Sequence, residues 1–146
     1  MKITNRFTIG IHIIVAIEYF KDSNTITSNF LAASTGANPV VIRTVMSMLK
    51  DAGLIDISQG KTGIRLAKPI KDISFFSVYK ALDCVENDGL FHFHEGPNKN
   101  CPIGRNIHNV LDEKLMYVQK AMENQMKSYT IADVYDCLLY TSDAAD

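Results

Sequence analysis

This sequence of 146 residues lacks any long hydrophobic run. The longest uninterrupted one, Ile13–Ile17, falls far short of the roughly 20 residues that a membrane-crossing helix needs. No small-residue cleavage site follows the opening Met1-Lys2-Ile3-Thr4-Asn5-Arg6, so the start does not read as a secretory signal. Cysteine is scarce. Cys84, Cys101 and Cys137 cannot all pair within one chain, and their spacing suits neither a disulfide scaffold nor a paired Cys-x-x-Cys zinc site. A reducing cytoplasm is the expected compartment. Internal repeats and low-complexity tracts are absent. Net charge is nearly absent too, at −1, an average that speaks against a nucleic-acid partner. What is present, 47% hydrophobic and 21% charged residues, is the composition of a soluble globular chain. Its length suits one domain, or a compact domain with an appendage.

The last ten residues stand apart. Cys137 to Asp146 reads Cys-Leu-Leu-Tyr-Thr-Ser-Asp-Ala-Ala-Asp. The codons TGT CTC TTA TAC ACA TCT GAC GCT GCC GAC encode that string and resemble the transposase adapter of sequencing libraries at all ten positions. The alternative is an ordinary tail. Residues 137–146 are expected to be non-native, with the natural chain cut here, and are set aside from the fold reading.

The near-zero charge is a sum of two unlike halves. Residues 1–71 carry nine Lys/Arg and four acids, net +5; residues 72–136 carry six basic and ten acidic residues, net −4. A basic half joined to an acidic half hints at a polyanion partner, and equally describes solvated faces.

Residues 3–21, rich in Ile, Val and aromatics, predict a largely buried helix, although the β-branched content also suits a strand. Lys21-Asp22-Ser23-Asn24 is a turn cluster. Thr27 caps a short helix, Ser28–Thr35, with Phe30, Leu31 and Ala33 as its apolar face, and Gly36 fits the left-handed position that ends it. Asn38 followed by Pro39 is a start signal: a side-chain cap, then proline at the first helical position. That helix runs to about Asp51, with Val41, Val45, Met48 and Leu49 as its buried stripe and Gly53 as its stop.

Two short helices joined by Gly36-Ala37-Asn38 have the proportions of a helix-turn-helix. Leu54–Ser58, a loop Gln59-Gly60-Lys61-Thr62-Gly63, and Ile64-Arg65-Leu66 predict a β-hairpin. Together they make a winged helix over residues 1–71. Asp72–Asp83 predicts another helix, with Phe75, Val78, Tyr79 and Leu82 at core spacing. Asn87–Pro102 reads as a loop holding His92 and His94. Ile103 to about Lys127 returns to helix, with Ile107, Leu111, Leu115, Val118, Met122 and Met126 at three- and four-residue steps. A helix of about 25 residues is near 37 Å long. A small winged helix cannot cover it, so a second copy of the chain is the simplest partner for its stripe, with folding back on its own domain the other outcome. Ser128–Asp136 suits a last short turn or helix. The fold class is mainly α: a winged helix-turn-helix with a small hairpin wing and a long C-terminal dimerisation helix, residues 72–136 forming helical linker, loop and dimerisation helix.

Several elements, taken in order, resemble the Rrf2 family of bacterial winged-helix transcription regulators, most closely its YwnA-like branch. They are Met1-Lys2-Ile3-Thr4 opening a long helix, Gly36-Ala37-Asn38-Pro39-Val40-Val41-Ile42-Arg43, Leu49-Lys50-Asp51-Ala52-Gly53-Leu54-Ile55, the Gly60/Gly63 wing, and Cys101-Pro102-Ile103-Gly104-Arg105-Asn106-Ile107. The likeness covers residues 1–136. It implies a homodimer, joined through the long helix, that binds a roughly palindromic duplex DNA operator. The helix after Asn38 and Pro39 then lies in the major groove. Val40 would meet a thymine methyl, Arg43 a guanine or phosphate, and Thr44 would add a hydroxyl. Free amides around Asn38 and Val40 would take a phosphate. Lys61, Thr62 and Arg65 in the wing would meet phosphate or the minor groove, and Thr27, Ser28 and Arg6 the backbone. Each has a plainer reading: Arg43 and Lys61 as solvated charges, Val40 as partly core, Thr27 as a cap, Pro39 as structural.

Members with an iron–sulfur cluster have three cysteines between the fourth and the long helix. Here that stretch has only Cys101, with Cys84 earlier, and Gly104 stands where the family's histidine ligand would be. No cofactor is predicted. Pooling Cys101 with His92 or His94 for a metal across a dimer is a weaker alternative. Cys101 at a helix N-terminus suits a reversible thiol switch, since the dipole lowers a thiol's pKa, or else a quiet half-buried apolar residue. A small-molecule pocket beside the long helix would be another effector site. Two other classes compete: a winged helix serving as a protein-interaction module, favoured by Arg43 being the only charge between Gly36 and Met48, and an enzyme pairing Cys101 with His92, His94 or His108. The enzyme lacks any recognisable acidic orienter or oxyanion element.

Overall fold

The structure, a computed structural model, describes residues 4–58, 63–82, 91 and 93–145, for the last four of these the backbone alone. Helices α1 (Arg6–Phe20), α2 (Ser28–Thr35) and α3 (Pro39–Asp51) lead into strands β1 (Ile55–Ile57) and β2 (Ile64–Leu66). A 3-10 turn at Ile70–Asp72 precedes α4 (Phe75–Ala81), and α5 (Pro102–Lys127) and α6 (Ile131–Ala145) follow. The strands pair antiparallel with Ile55 opposite Leu66 and Ile57 opposite Ile64. The mainly helical winged helix is therefore the observed fold class. Among the described residues no helix is long and apolar enough to cross a membrane.

The ambiguity of the first segment resolves as helix, packed on most of its circumference, with Thr8, His12 and Tyr19 left on one exposed face. α1 contacts α2, α3, β2, α4 and α6. So broad an apolar face needs such burial, and Ile13, Ile14 and Ile17 are closed to solvent. Gly10 lets α4 approach: a Cβ there would meet the side chains of Leu82 and Val78.

The helix-turn-helix forms where its caps predict. Thr27 Oγ1 accepts from the Phe30 amide at 3.1 Å. Gly36 adopts φ 72° and its amide bonds to Ala32 O, while Asn38 Oδ1 accepts from the Val40 amide at 2.8 Å with Pro39 opening α3. The buried stripe of α3 differs from expectation. Ile42, Val45, Met46 and Leu49 are buried, Met48 is half-buried, and Val41 is exposed. Spacings of three and four residues fit both stripes in part; packing on α1, α4 and β1 selects the Ile42 face. On α2, Leu31 is buried and Phe30 half-buried, but Ala33 is exposed.

Three boundaries move. The helix expected over Asp72–Asp83 is confined to α4 in the described residues, with Asp83 outside them. Ser74 stays extended, caps α4 through the Ser77 amide at 3.0 Å, and bridges Thr130. The bridge is closed by Phe75 N–H to Tyr129 O at 2.9 Å and Ile131 N–H to Ile73 O at 2.8 Å. The short terminal segment becomes α6, longer than expected and continuous through the set-aside string to Ala145. Thr130 and Asp133 start it reciprocally: Thr130 N–H donates to Asp133 Oδ2 at 2.8 Å and Asp133 N–H to Thr130 Oγ1 at 3.3 Å, the logic of a capping box. Ile73, Val78, Tyr79, Leu82 and Ile131 join the residues of α1–α3 in one buried cluster, so the core runs across residue 71.

Leu49, fully buried, and Val40, 60% exposed, lie on opposite sides of α3. Leu49→Ala is expected to lose about 2–5 kcal/mol of unfolding free energy, and Val40→Ala to stay within about 0.5 kcal/mol, both read by urea denaturation.

Candidate nucleic-acid interface

The outer face of α3 begins at its cap. Pro39 has no amide hydrogen, the Val40 amide is held by Asn38 Oδ1, and the Ile42 amide bonds to Asn38 O at 3.1 Å. The Val40 amide offered to a phosphate on sequence grounds is thus already taken. Val40 and Val41 nevertheless stand out from this turn, 60% and 37% exposed. Thr44 Oγ1 donates to Val40 O at 3.0 Å, so its proton is directed inward. Arg43 is exposed and has no ion-pair partner among the described residues.

Beside this face lies an open groove of about 440 Å³ between the start of α2, the side of α3 and the hairpin. Thr27 and Ser28 line one wall, Arg43, Ser47 and Lys50 another, and Ser58 a third. Hydroxyls and cations with no carboxylate among the lining residues suit an anionic backbone. Thr25, Ser47, Lys50 and Ser58 escaped the sequence reading. For Lys50 the signal existed: it follows Arg43 by seven residues, two helical turns along the same face.

The remaining predicted contacts are dispersed. Arg65 sits on β2 opposite Asp56, 3.9 Å from its carboxylate, an exposed pair of small energetic weight. Lys61 and Thr62 lie outside the described residues. Arg6 is not in the groove. Its neighbour Phe7 packs edge-on to Phe75, whereas the start of α2 meets the far end of α1 through Phe20 and Phe30.

The 26-residue helix α5 has no buried residue. Met122 and Met126 are half-buried and reach back to the core of the same chain, beside the Lys127 ammonium 4.6 Å over the Phe76 ring. Ile107, Leu111 and Leu115 are half-buried and Val118 is exposed. The sequence stripe missed its most exposed companions, Ile103, Val110, Met116 and Tyr117.

Cys101 occupies the N-cap of α5, partly exposed. The amides of Gly104, then Ile103, turn toward its sulfur and hold the thiol below its ordinary pKa of 9.0, though neither closes a full hydrogen bond. Gly104 is required because the preceding loop crosses there: a Cβ would strike the Asn98 backbone, whose carbonyl bonds the Cys101 amide at 3.2 Å. His108 Nδ1 faces Asp112 at 3.1 Å, and the His94 ring lies 5.4 Å from it, tilted. These groups line an open hollow of about 830 Å³ with Lys99 and Arg105. His92 and Cys84 lie outside the described residues.

Comparison with known proteins gives this geometry a family. Residues 3–137 match Rrf2, described as an iron-dependent transcriptional regulator. A Bacillus subtilis (strain 168) protein named as the HTH-type transcriptional regulator YwnA is 40% identical over 136 residues, 93% of this chain and 98% of that one. A solved structure titled as a DNA-binding protein is 34% identical with TM-score 0.69, covering 88% of this chain and 97% of its own. A second, titled as a transcriptional regulator from Lactobacillus plantarum, has TM-score 0.76 at 22% identity, covering 97% and 99%.

The described residues do not fit the iron in that family description. An iron–sulfur cluster takes about four thiolates, or fewer with other ligands. Among the described residues the thiols are Cys101 and Cys137, the latter on α6, and no group of three His, Cys, Asp or Glu side chains converges as metal ligands. The match over nearly the whole chain, with a 40% identical relative, shows the family: the chain belongs to the Rrf2 family of transcriptional regulators.

Proposed function

We propose that this chain acts as a homodimer, joined through α5, that binds a roughly palindromic DNA duplex. α3, residues 39–51, enters the major groove, and the wing, residues 59–65, follows the backbone or minor groove. The observation that carries this is the outer face of α3, where exposed valines stand beside an Arg43 unpaired among the described residues. The groove with Lys50, Ser28 and Ser58 continues that face, and a 34% identical neighbour is titled as a DNA-binding protein. Residues 1–71 are the DNA-binding part and 72–136 the dimerising part; residues 137–146 receive no role. Dimerisation is supported by α5, about 39 Å long, with Ile103, Val110, Met116, Tyr117 and Val118 exposed along it. Two-fold symmetry then places the half-sites about one duplex turn, ~34 Å, apart.

Selection from a labelled random duplex library tests the DNA reading. Palindromic sequences are expected to enrich, with affinity falling steeply as salt rises. Arg43→Ala is expected to weaken binding and, if Arg43 holds a phosphate, to reduce the salt slope by about 1. Enrichment of no duplex would refute DNA binding and favour a protein-interaction module of the same fold. For the dimer, Val110→Glu with Val118→Glu is expected to give a folded monomer in sedimentation velocity. A monomeric wild-type chain would remove the dimer.

We also propose Cys101 as the regulator's thiol switch, favoured by its lowered pKa at the head of α5. The thiolate attacks a peroxide oxygen, the O–O bond breaks, hydroxide leaves and sulfur is oxidised to sulfenic acid. With Cys84 and Cys137 replaced by Ser, iodoacetamide labelling of Cys101 is expected to rise at lower pH in the folded chain than in urea. A Cys101→Ser protein whose duplex binding still responds to peroxide as wild type does would sink the switch.

A further inference from the structure

We infer that the first turn of α3 reads the C5-methyl groups of pyrimidines, with Val40 and Val41 as the reading surface. The inference rests on the DNA-binding reading above and specifies what that site recognises. The N-terminal residues of a helix in the major groove lie nearest the base edges, and both valines are exposed there although the chain buries isoleucine and valine elsewhere on the same helix. The polar groups of the turn are largely committed inward. Asn38 Oδ1 holds the Val40 amide, Thr44 Oγ1 donates to Val40 O, and Pro39 has no N–H. Arg43 and the amide NH₂ of Asn38 keep donors for guanine, adenine or phosphate.

Charge selects DNA as the occupant of this apolar surface. Arg43 lies within one turn of it, and α3 has no acidic residue before Asp51, so the valines sit beside positive charge that suits a polyanion. Valine has neither donor nor acceptor. It cannot distinguish the O4 of thymine from the N4 amine of cytosine, and distinguishes only a methyl group at C5 from a hydrogen. The surface therefore ranks bases in an order that hydrogen-bond readout does not give: thymine and 5-methylcytosine above uracil and cytosine. Methylation of cytosine at such a position strengthens binding.

The test uses the full chain and the duplex recovered by library selection, resynthesised with deoxyuridine for thymidine, one position at a time. Loss of one buried methyl is expected to weaken binding about fourfold at one or two positions in each half-site. 5-Methyldeoxycytidine is expected to bind more tightly than deoxycytidine at those positions by a similar factor. In Val40→Ala and Val41→Ala proteins, checked for unchanged unfolding free energy, both differences should shrink toward unity. If no uridine position weakens binding, or if the alanine proteins keep the full difference, the methyl reading is overturned while DNA binding stands. If no duplex is bound at all, both fall.

Discussion

The packing of α1 is the constraint on which the other elements depend. Ile13, Ile14 and Ile17 are closed to solvent, and the helix contacts α2, α3, β2, α4 and α6. A helix with so broad an apolar face must bury most of its circumference, so neighbours pack around all of it but the Thr8, His12 and Tyr19 side. α2 and α3 fit one flank through Leu31, Ile42, Val45 and Leu49, and β2 fits beside them. Gly10 permits α4 to close against it. The two strand-like hydrogen bonds around Ser74 and Thr130 then return the chain from the far end of α5 to the same core.

That arrangement divides α3 into a buried side and a side left to solvent. One side, Ile42, Val45, Met46 and Leu49, is anchored to the core. The other is left with side chains that its own chain does not use: two valines, an arginine, a lysine and small hydroxyl residues. Because the caps at Thr27 and Asn38 satisfy backbone amides locally, α2 and α3 are held in place by short hydrogen bonds that make no demand on the exposed face. The face is therefore free to vary chemically without altering the fold.

α5 divides in the same way along its length. Its C-terminal part is tied to its own chain by Met122, Met126 and the Lys127–Phe76 contact. Its N-terminal part carries Ile103, Val110, Tyr117 and Val118 into solvent, and begins at the cap where Cys101 meets the amides of Gly104 and Ile103. The thiol lies at the end of α5 away from the methionines that reach the core. Cys101 adjoins the turn packed through Gly104 against Asn98.

The local sequence determined what local physics decides. Thr27, Gly36, Asn38-Pro39 and Gly53 set helix ends because capping and positive φ depend on a few adjacent atoms. The hairpin and the long C-terminal helix were legible in the alternating and the three-and-four apolar spacings. Tertiary packing alone decided the rest. It turned α3 so that Ile42 and Met46 face the core while Val41 is left exposed, since a three-and-four spacing admits either stripe until a partner surface is present. It held Ser74 extended through a partner more than fifty residues away, shortening α4, and gave the two Met positions of the α5 stripe to the chain's own core. It also assembled Lys50, Ser47, Thr25 and Ser58 beside Arg43 from three separate elements. No window of sequence contains that groove, because its walls meet only when α2, α3 and the hairpin pack around the same buried core.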